Sequence, residues 1–256
     1  MRWETAIFSN GEYLRLVKEI AASQGRITNV YYRFLTRYLS RHVTAVLYLM
    51  RVKPNTVTWS MMYFGMLGSC LYSLGTLGGY VIGSVCFIML NIADTSDGEL
   101  ARLRQQTSSF GEYLDRLCHY FTNSMMSLGL GIGLYVESSD LLYIYISCIG
   151  CCCYVLDDAS KDLLLILKKN GSQTRSEFSQ TVSLSKNSTV LTTVMYIFAH
   201  SSVWHVLPIL ALVDILFSGF EFGGYSVSFI YIVLFLLGLP VKAVLRMRNV
   251  SKIYGS

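Results

Sequence analysis

The sequence has few charged residues for its length. Asp, Glu, Lys and Arg make up 14% of its 256 residues, and hydrophobic residues make up 53%. A soluble globular domain is about one quarter charged. This shortage of charge argues against a soluble domain and indicates a membrane protein.

Long apolar runs take the place of the missing charge. A helix needs about twenty predominantly apolar residues to cross a bilayer. Six stretches of about that length lie roughly at 55–75, 78–104, 108–136, 140–167, 188–217 and 224–247. The sequence therefore predicts an all-α, polytopic membrane protein with six transmembrane helices. We expect an N-terminal extension over 1–27, a juxtamembrane amphipathic helix over 28–53 and a six-helix domain over 54–250.

Lys and Arg are absent from every second turn of this layout. The turns without them lie near Gly75–Gly79, Val136–Asp140 and Gly219–Tyr225. All 21 basic residues lie in the segment up to Lys53, the 102–116 junction, the 161–186 connection and the tail from Lys242. By the positive-inside rule, both termini and the 102–116 junction are cytoplasmic. The net charge of +5 then indicates topology and contact with anionic lipids, not nucleic-acid binding.

The segment before the first apolar run predicts a basic amphipathic helix. Arg33, Arg37 and Arg41 follow one another at i, i+4 and i+8, so they share one face of a helix. Such a helix can lie on the cytoplasmic membrane surface with its aromatic residues at headgroup level. The alternative is a basic helix packed against the rest of the protein.

Two further absences argue against other classes of protein. We find no internal repeat, whereas transporters with six spans and intramembrane acids commonly contain repeats or broken helices in both halves. The seven cysteines lack the paired spacing and histidine partners of a zinc site. The consecutive residues Cys151–Cys153 point about 100° apart on a helix, so they cannot all ligate one ion.

Ionisable residues are concentrated in the segment DTSDGELARLRQQTSSFGEYLDRLCH, residues 94–119. Asp94 and Asp97 are i, i+3 neighbours on one predicted helix, and Asp115 and His119 are i, i+4 neighbours on the next. If the two helices pack together, the four side chains converge. Carboxylates in a membrane are costly unless they are paired or bind a metal. Oxygen ligands suit Mg²⁺ or Mn²⁺, which often bring phosphate with them.

Small residues accompany these acids. Gly98, Ala101 and Gly111 lie on the same helix faces, where they would let a backbone or a flat ligand approach closely. The alternative to a metal site is an intramembrane salt bridge, for example from Asp115 to Arg102 or Arg116. That alternative does not explain the glycines.

The segment resembles the signature of the CDP-alcohol phosphotransferase family, D-x₂-D-G-x₂-A-R-x₈-G-x₃-D-x₃-D. Every spacing is intact and only the last position differs, where the sequence has His119. In addition, KPNTVT at 53–58 resembles the family's P-N-x-x-T entry sequence. The likeness covers about residues 28–250.

The resemblance implies a membrane enzyme of phospholipid biosynthesis with two divalent ions, Mg²⁺ or Mn²⁺, at the cytoplasmic face. It would displace CMP from a CDP-linked donor, either CDP-diacylglycerol or a soluble CDP-alcohol, with the hydroxyl of an alcohol acceptor. The implied metal residues are Asp94, Asp97, Asp115 and His119. The implied nucleotide residues are Asn55, Thr58, Gly98, Ala101, Arg102 and Gly111. The resemblance also implies a homodimer among membrane lipids, in a bacterial or archaeal inner membrane or a eukaryotic endomembrane.

Lys161 and Arg246 are further candidates, in this case for the phosphate of an acceptor or a lipid. Both are basic residues near the predicted cytoplasmic ends of spans. Flanking by the positive-inside rule also accounts for basic residues at such places.

His119 decides between two readings of the site. In the family the last aspartate of the signature is assigned as the base that accepts the acceptor's proton. A histidine with an ordinary pKa of about 6.5 is a competent base at neutral pH. The first reading is therefore an active enzyme with His119 as base. The second is a silent or weakened member that binds a CDP-linked lipid as a scaffold or regulator.

Overall fold

The computed structural model describes residues 10–24, 36–170, 200–216 and 226–254. In these residues the chain forms α-helices and no strand. The helices are α1 (Asn10–Ser23), α2 (Arg37–Leu49), α3 (Pro54–Tyr72), α4 (Leu77–Leu103), α5 (Ser109–Ser138), α6 (Leu142–Asn170), α7 (His200–Leu216) and α8 (Val227–Tyr254).

The all-α prediction is confirmed, and a helix lies in each of the six predicted stretches. Three segments are long and apolar enough to cross a membrane: Leu77–Leu103, Leu142–Ser160 and Val227–Val244. The described part of the fifth stretch contains a shorter apolar helix, His205–Leu216. Six transmembrane spans therefore stay a prediction, while the three apolar helices support a membrane protein.

Two helices, α2 and α4, end in the same left-handed backbone conformation. Arg51 follows α2 and Gln105 follows α4, with φ angles of 56° and 54°. After each of them, the next amide donates to a carbonyl five residues earlier in the chain, at 3.0 and 2.9 Å. This left-handed termination satisfies carbonyls at the end of a helix and usually contains glycine. Ser108 then caps α5, because its Oγ accepts the Gly111 amide at 3.0 Å.

The chain divides into two compact units, and the first comprises Met1–Leu67 and Val85–Phe121. In this unit α1 packs on α2 around a small core of Leu16, Ile20 and Ala45, and Leu103 of α4 packs against that core. Arg104, directly after α4, forms hydrogen bonds to the corner between α2 and α3. Its guanidinium donates to carbonyls of the segment 47–52, the shortest bond being 2.6 Å.

The second unit comprises Gly68–Ser84 and Thr122–Ser256. Close helix contacts in it depend on glycine: a Cβ at Gly129 would overlap the carbonyl oxygen of Ser69. Two pairs of polar side chains lie in this unit. Lys242 Nζ lies 3.4 Å from Asp157 Oδ2, and Asn123 donates to Asp158 at 2.8 Å.

The structure describes only part of the N-terminal segment 1–53, so it tests the predictions made for that segment only in part. The predicted extension, 1–27, contains α1, and the predicted juxtamembrane helix, 28–53, contains α2. Arg37 and Arg41 lie on α2, where the Arg41 guanidinium stacks 4.4 Å from the Tyr38 ring centroid. Arg33 lies outside the described residues. Membrane-surface binding by this segment and the proposed domain boundaries stay predictions.

Candidate metal centre

Three of the four predicted metal residues meet in the first unit. Asp94 comes from α4, and Asp115 and His119 come from α5. His119 Nε2 lies 3.1 Å from Asp94 Oδ1 and 3.4 Å from Asp115 Oδ1. One ligand atom from each residue lies within 4.8 Å of the others. The i, i+4 spacing on α5 stacks Asp115 and His119 on one face, which α4 then meets with Asp94.

Asp97, the fourth predicted residue, is adjacent but turned toward another helix. It is 8% exposed, and its Oδ2 accepts a 2.7 Å hydrogen bond from Thr58 of α3. Thr58, predicted as a nucleotide residue, is itself only 3% exposed. In this arrangement the Thr58 hydroxyl orients a carboxylate beside the cluster.

Of the two arginines considered as alternative partners of Asp115, Arg116 forms an ion pair with Glu112. Arg116 lies 2.8 Å from Glu112, one turn before it on the exposed side of α5. Asp115 instead faces His119. Glu112 therefore belongs to the surface of α5, and Asp115 belongs to the cluster.

The donor set fits a divalent cation. Two carboxylates and an imidazole converge, and such ligands suit Mg²⁺ or Mn²⁺, the imidazole favouring Mn²⁺. Asp115 Oδ1 is buried, and within the described part of the chain it has no hydrogen-bond partner. A buried carboxylate oxygen without a donor is costly, and a cation at this position would satisfy it.

The signature glycines lie where protein packing leaves room. A Cβ added to Gly98 would meet only the Arg102 guanidinium, at 3.3 Å. A Cβ added to Gly111 would meet Ser108 Oγ at 3.3 Å and Asn55 Oδ1 at 3.5 Å. No backbone atom lies within 4 Å of either added Cβ, apart from the neighbouring backbone of the same helix. Helix packing therefore does not require glycine at these two positions.

A polar cavity of about 510 Å³ opens beside Asn55 in the same unit. Its lining residues are Arg51, Lys53, Pro54, Asn55, Thr56, Trp59, Arg104, Gln106 and Ser108. Two of them mark the starts of helices, Pro54 for α3 and Ser108 for α5. Helix N-termini and basic side chains both favour anions. The sequence indicates Asn55 but gives no signal for Arg51, Lys53 and Arg104, because the positive-inside rule alone accounts for basic residues at the ends of spans.

The remaining predicted residues lie near the site or outside the described side chains. Ala101 lies one turn after Asp97 on α4, and Arg102 is exposed beside Gly98. Lys161 and Arg246 lie on α6 and α8, but their side chains are outside the described part of the structure. Their predicted phosphate contacts stay predictions.

Apolar helices and a cluster of carboxylates with one histidine define an all-helical membrane protein with a candidate divalent-metal site. The chain belongs to the CDP-alcohol phosphatidyltransferase family, whose model matches residues 51–219. This confirms the predicted family. The family comprises transferases of phospho-alcohol groups that use divalent metals and take a CDP-alcohol donor and an alcohol acceptor.

One further similarity covers a short part of the chain. A segment of 74 residues is 36% identical to Scarecrow-like protein 33 of Arabidopsis thaliana. The segment covers 25% of this chain and 11% of that protein, so the chain spans only about a tenth of that relative. We draw no functional argument from it.

Proposed function

We propose that the protein transfers a phospho-alcohol or phosphatidyl group from a CDP-linked donor to an alcohol. The acceptor oxygen forms a bond to the β-phosphorus of the donor. The bond from that phosphorus to the oxygen bridging to the α-phosphorus breaks, and CMP leaves with the electron pair. The proton of the acceptor hydroxyl passes to a base on the protein. The product is a phosphodiester, as in phospholipid biosynthesis.

The convergence of Asp94, Asp115 and His119 is the observation that carries this proposal. Their ligand atoms lie within 4.8 Å of one another, on two helices that supply the family signature. Asp97 adds a fourth group, which Thr58 holds in place through a 2.7 Å hydrogen bond. The three aspartates would hold two divalent ions, which would neutralise the diphosphate and stabilise charge on the attacking and leaving oxygens.

The cavity beside Asn55 is the proposed place of the donor's cytidine diphosphate part. Arg51 and Lys53 supply positive charge there, and the N-termini of α3 and α5 favour an anion. Gly111 lies next to Asn55 without a packing reason for its size, so a ligand can approach the backbone. Arg102, beside Gly98, can offer a bidentate contact to phosphate.

His119 is the proposed base. Its imidazole lies beside the cluster, with Nε2 3.1 Å from Asp94 Oδ1, so the ring is within reach of an acceptor hydroxyl bound at the metal site. The same Nε2 is also placed to ligate a metal. One lone pair cannot do both at once. We assign proton transfer to His119 and metal binding mainly to the three aspartates. Loss of a base leaves metal affinity nearly unchanged, whereas loss of a metal ligand lowers it.

A second candidate function is binding without catalysis. His119 occupies the position of the signature's last aspartate, which favours a silent member that holds a CDP-linked lipid as a scaffold or regulator. The cytoplasmic orientation of the site, the homodimer and the contacts with membrane lipids remain predictions under either function.

CMP release from the purified protein in lipid nanodiscs tests the proposal. One arm supplies CDP-diacylglycerol with pooled polar alcohols, and the other supplies soluble CDP-alcohols with diacylglycerol, each with Mg²⁺ or Mn²⁺. We expect metal-dependent CMP release in one arm, and that arm identifies which partner carries the lipid. Silence in both arms together with tight binding of a CDP-ligand favours the second candidate.

A pair of variants on α5 controls for nonspecific damage. Asp115→Asn removes a carboxylate from the cluster, whereas Glu112→Gln removes one from the exposed ion pair with Arg116. We expect the first variant to lose CMP release and the second to keep it. Equal activity in the two variants contradicts the proposed site.

A further inference from the structure

Glu99 is a buried carboxylate that the proposed reaction does not use. It lies on α4 within the signature, directly after Gly98, and is 2% exposed. Oε1 accepts hydrogen bonds from Gln24 at 2.7 Å and Ser40 at 3.2 Å, and Oε2 accepts one from Thr44 at 2.8 Å. These three donors are neutral side chains, two of them on α2.

Glu99 belongs to a row of α4 residues that faces away from the cluster. With 3.6 residues per turn, Glu99 points about 140° away from Asp94 and about 160° away from Asp97. We call this row the back face of α4; it consists of Ser96, Glu99 and Leu103. Each of these side chains contacts α2 or the small core that α1 and α2 form.

The contacts of the back face differ in how tightly they fix the helix. Leu103 contributes apolar packing, which tolerates small shifts. Glu99 instead accepts directed hydrogen bonds from donors on two different segments, and Gln24 also donates to the Arg37 carbonyl at 3.2 Å. A buried carboxylate oxygen that loses its donors is costly, so these hydrogen bonds favour one angle of α4 against α2.

We propose that Glu99 is a positioning residue for the metal centre. By docking α2 on the back face of α4, it sets the rotation of α4 that turns Asp94 and Asp97 toward Asp115 and His119. The inference rests on the proposed function, because it assumes that the cluster binds a divalent ion. Residues that orient metal ligands commonly change metal affinity by about 10- to 100-fold when they are substituted.

Binding of Mn²⁺ to the full-length protein in nanodiscs, followed by electron paramagnetic resonance, tests this role without turnover. We expect Glu99→Leu to raise the half-saturating Mn²⁺ concentration by about tenfold. Glu99→Gln keeps one acceptor oxygen and should stay within about threefold of the parent. Tyr72→Phe, which removes a buried 2.9 Å hydrogen bond to Ser84 in the second unit, should leave Mn²⁺ affinity unchanged.

Unchanged Mn²⁺ affinity in Glu99→Leu would overturn the inference, even if that variant were less stable. If Glu99→Leu does not fold, Thr44→Val removes one donor and leaves the carboxylate in place. Unchanged affinity in Thr44→Val then overturns the inference. A parent protein that binds Mn²⁺ but releases no CMP refutes the proposed function and leaves this test intact. A parent that binds no Mn²⁺ refutes both.

Discussion

The substitution His119→Ala distinguishes the two roles that the position of His119 allows, general base and metal ligand. The imidazole Nε2 lies 3.1 Å from Asp94 and 3.4 Å from Asp115, so His119→Ala removes the group between two carboxylates. A positioned general base contributes about 10²- to 10⁴-fold, or about 2.7 to 5.4 kcal/mol of transition-state stabilisation. We expect kcat to fall by that range. Metal affinity should change little, because Asp94, Asp97 and Asp115 remain.

The assay measures CMP release at saturating donor over a range of Mn²⁺ concentrations, which yields kcat and the half-saturating metal concentration together. His119→Asp restores the carboxylate of the family signature and should keep activity within about tenfold of the parent. His42→Ala is the matched control. It removes a histidine of the same unit that contacts Tyr13 at 2.7 Å, away from the cluster.

Two results would contradict the assignment of His119 as base. Parental kcat in His119→Ala means that the proton goes to another acceptor. A loss in His119→Ala that saturating Mn²⁺ fully restores means that the imidazole is a metal ligand and not the base. A loss of equal size in His42→Ala indicates damage to the fold.

Four further predictions concern the same site, and one concerns glycine packing in the second unit. Asp97→Asn should abolish metal-dependent CMP release with little change in Tm, because the amide oxygen still accepts the hydrogen bond from Thr58; normal turnover contradicts its metal role. Gly111→Ala should raise the KM for the donor at nearly parental stability. Gly129→Ala should instead cost about 1–3 kcal/mol in an unfolding assay and leave KM unchanged. Lys53→Met should weaken CDP binding by about tenfold in a competition assay, since a charged contact in the cavity is lost. EDTA should stop CMP release and added Mn²⁺ should restore it; persistent release in EDTA contradicts a metal-dependent step.

Local pattern was sufficient for the helices and for part of the cluster. The stretch predicted at 78–104 is α4, Leu77–Leu103, because an apolar run bounded by polar turns determines a helix with little help from its neighbours. The i, i+4 spacing likewise placed Asp115 and His119 on one face of α5. Such regularities depend on residues close together in the chain.

The sequence alone could not predict the direction in which the Asp97 side chain points. At i, i+3 from Asp94 it points about 60° to one side, and the partner that captures it, Thr58, lies 39 residues earlier. Glu99 illustrates the same limit. It occupies a variable position of the signature, and its donors at 24, 40 and 44 are small polar residues without a distinctive pattern. Both interactions exist only once helices distant in sequence have packed.

The glycines bear on how this protein would be engineered for structural work. Membrane proteins are often stabilised by testing alanine at every position and keeping the variants that survive heating without ligand. Gly129 would be protected in such a screen, because its Cβ would overlap a backbone carbonyl. Gly111 would pass, since alanine there disturbs little and favours a helix. Heat survival would therefore keep Gly111→Ala, which we expect to accept the donor less well, so the screen should be run with a CDP-ligand present.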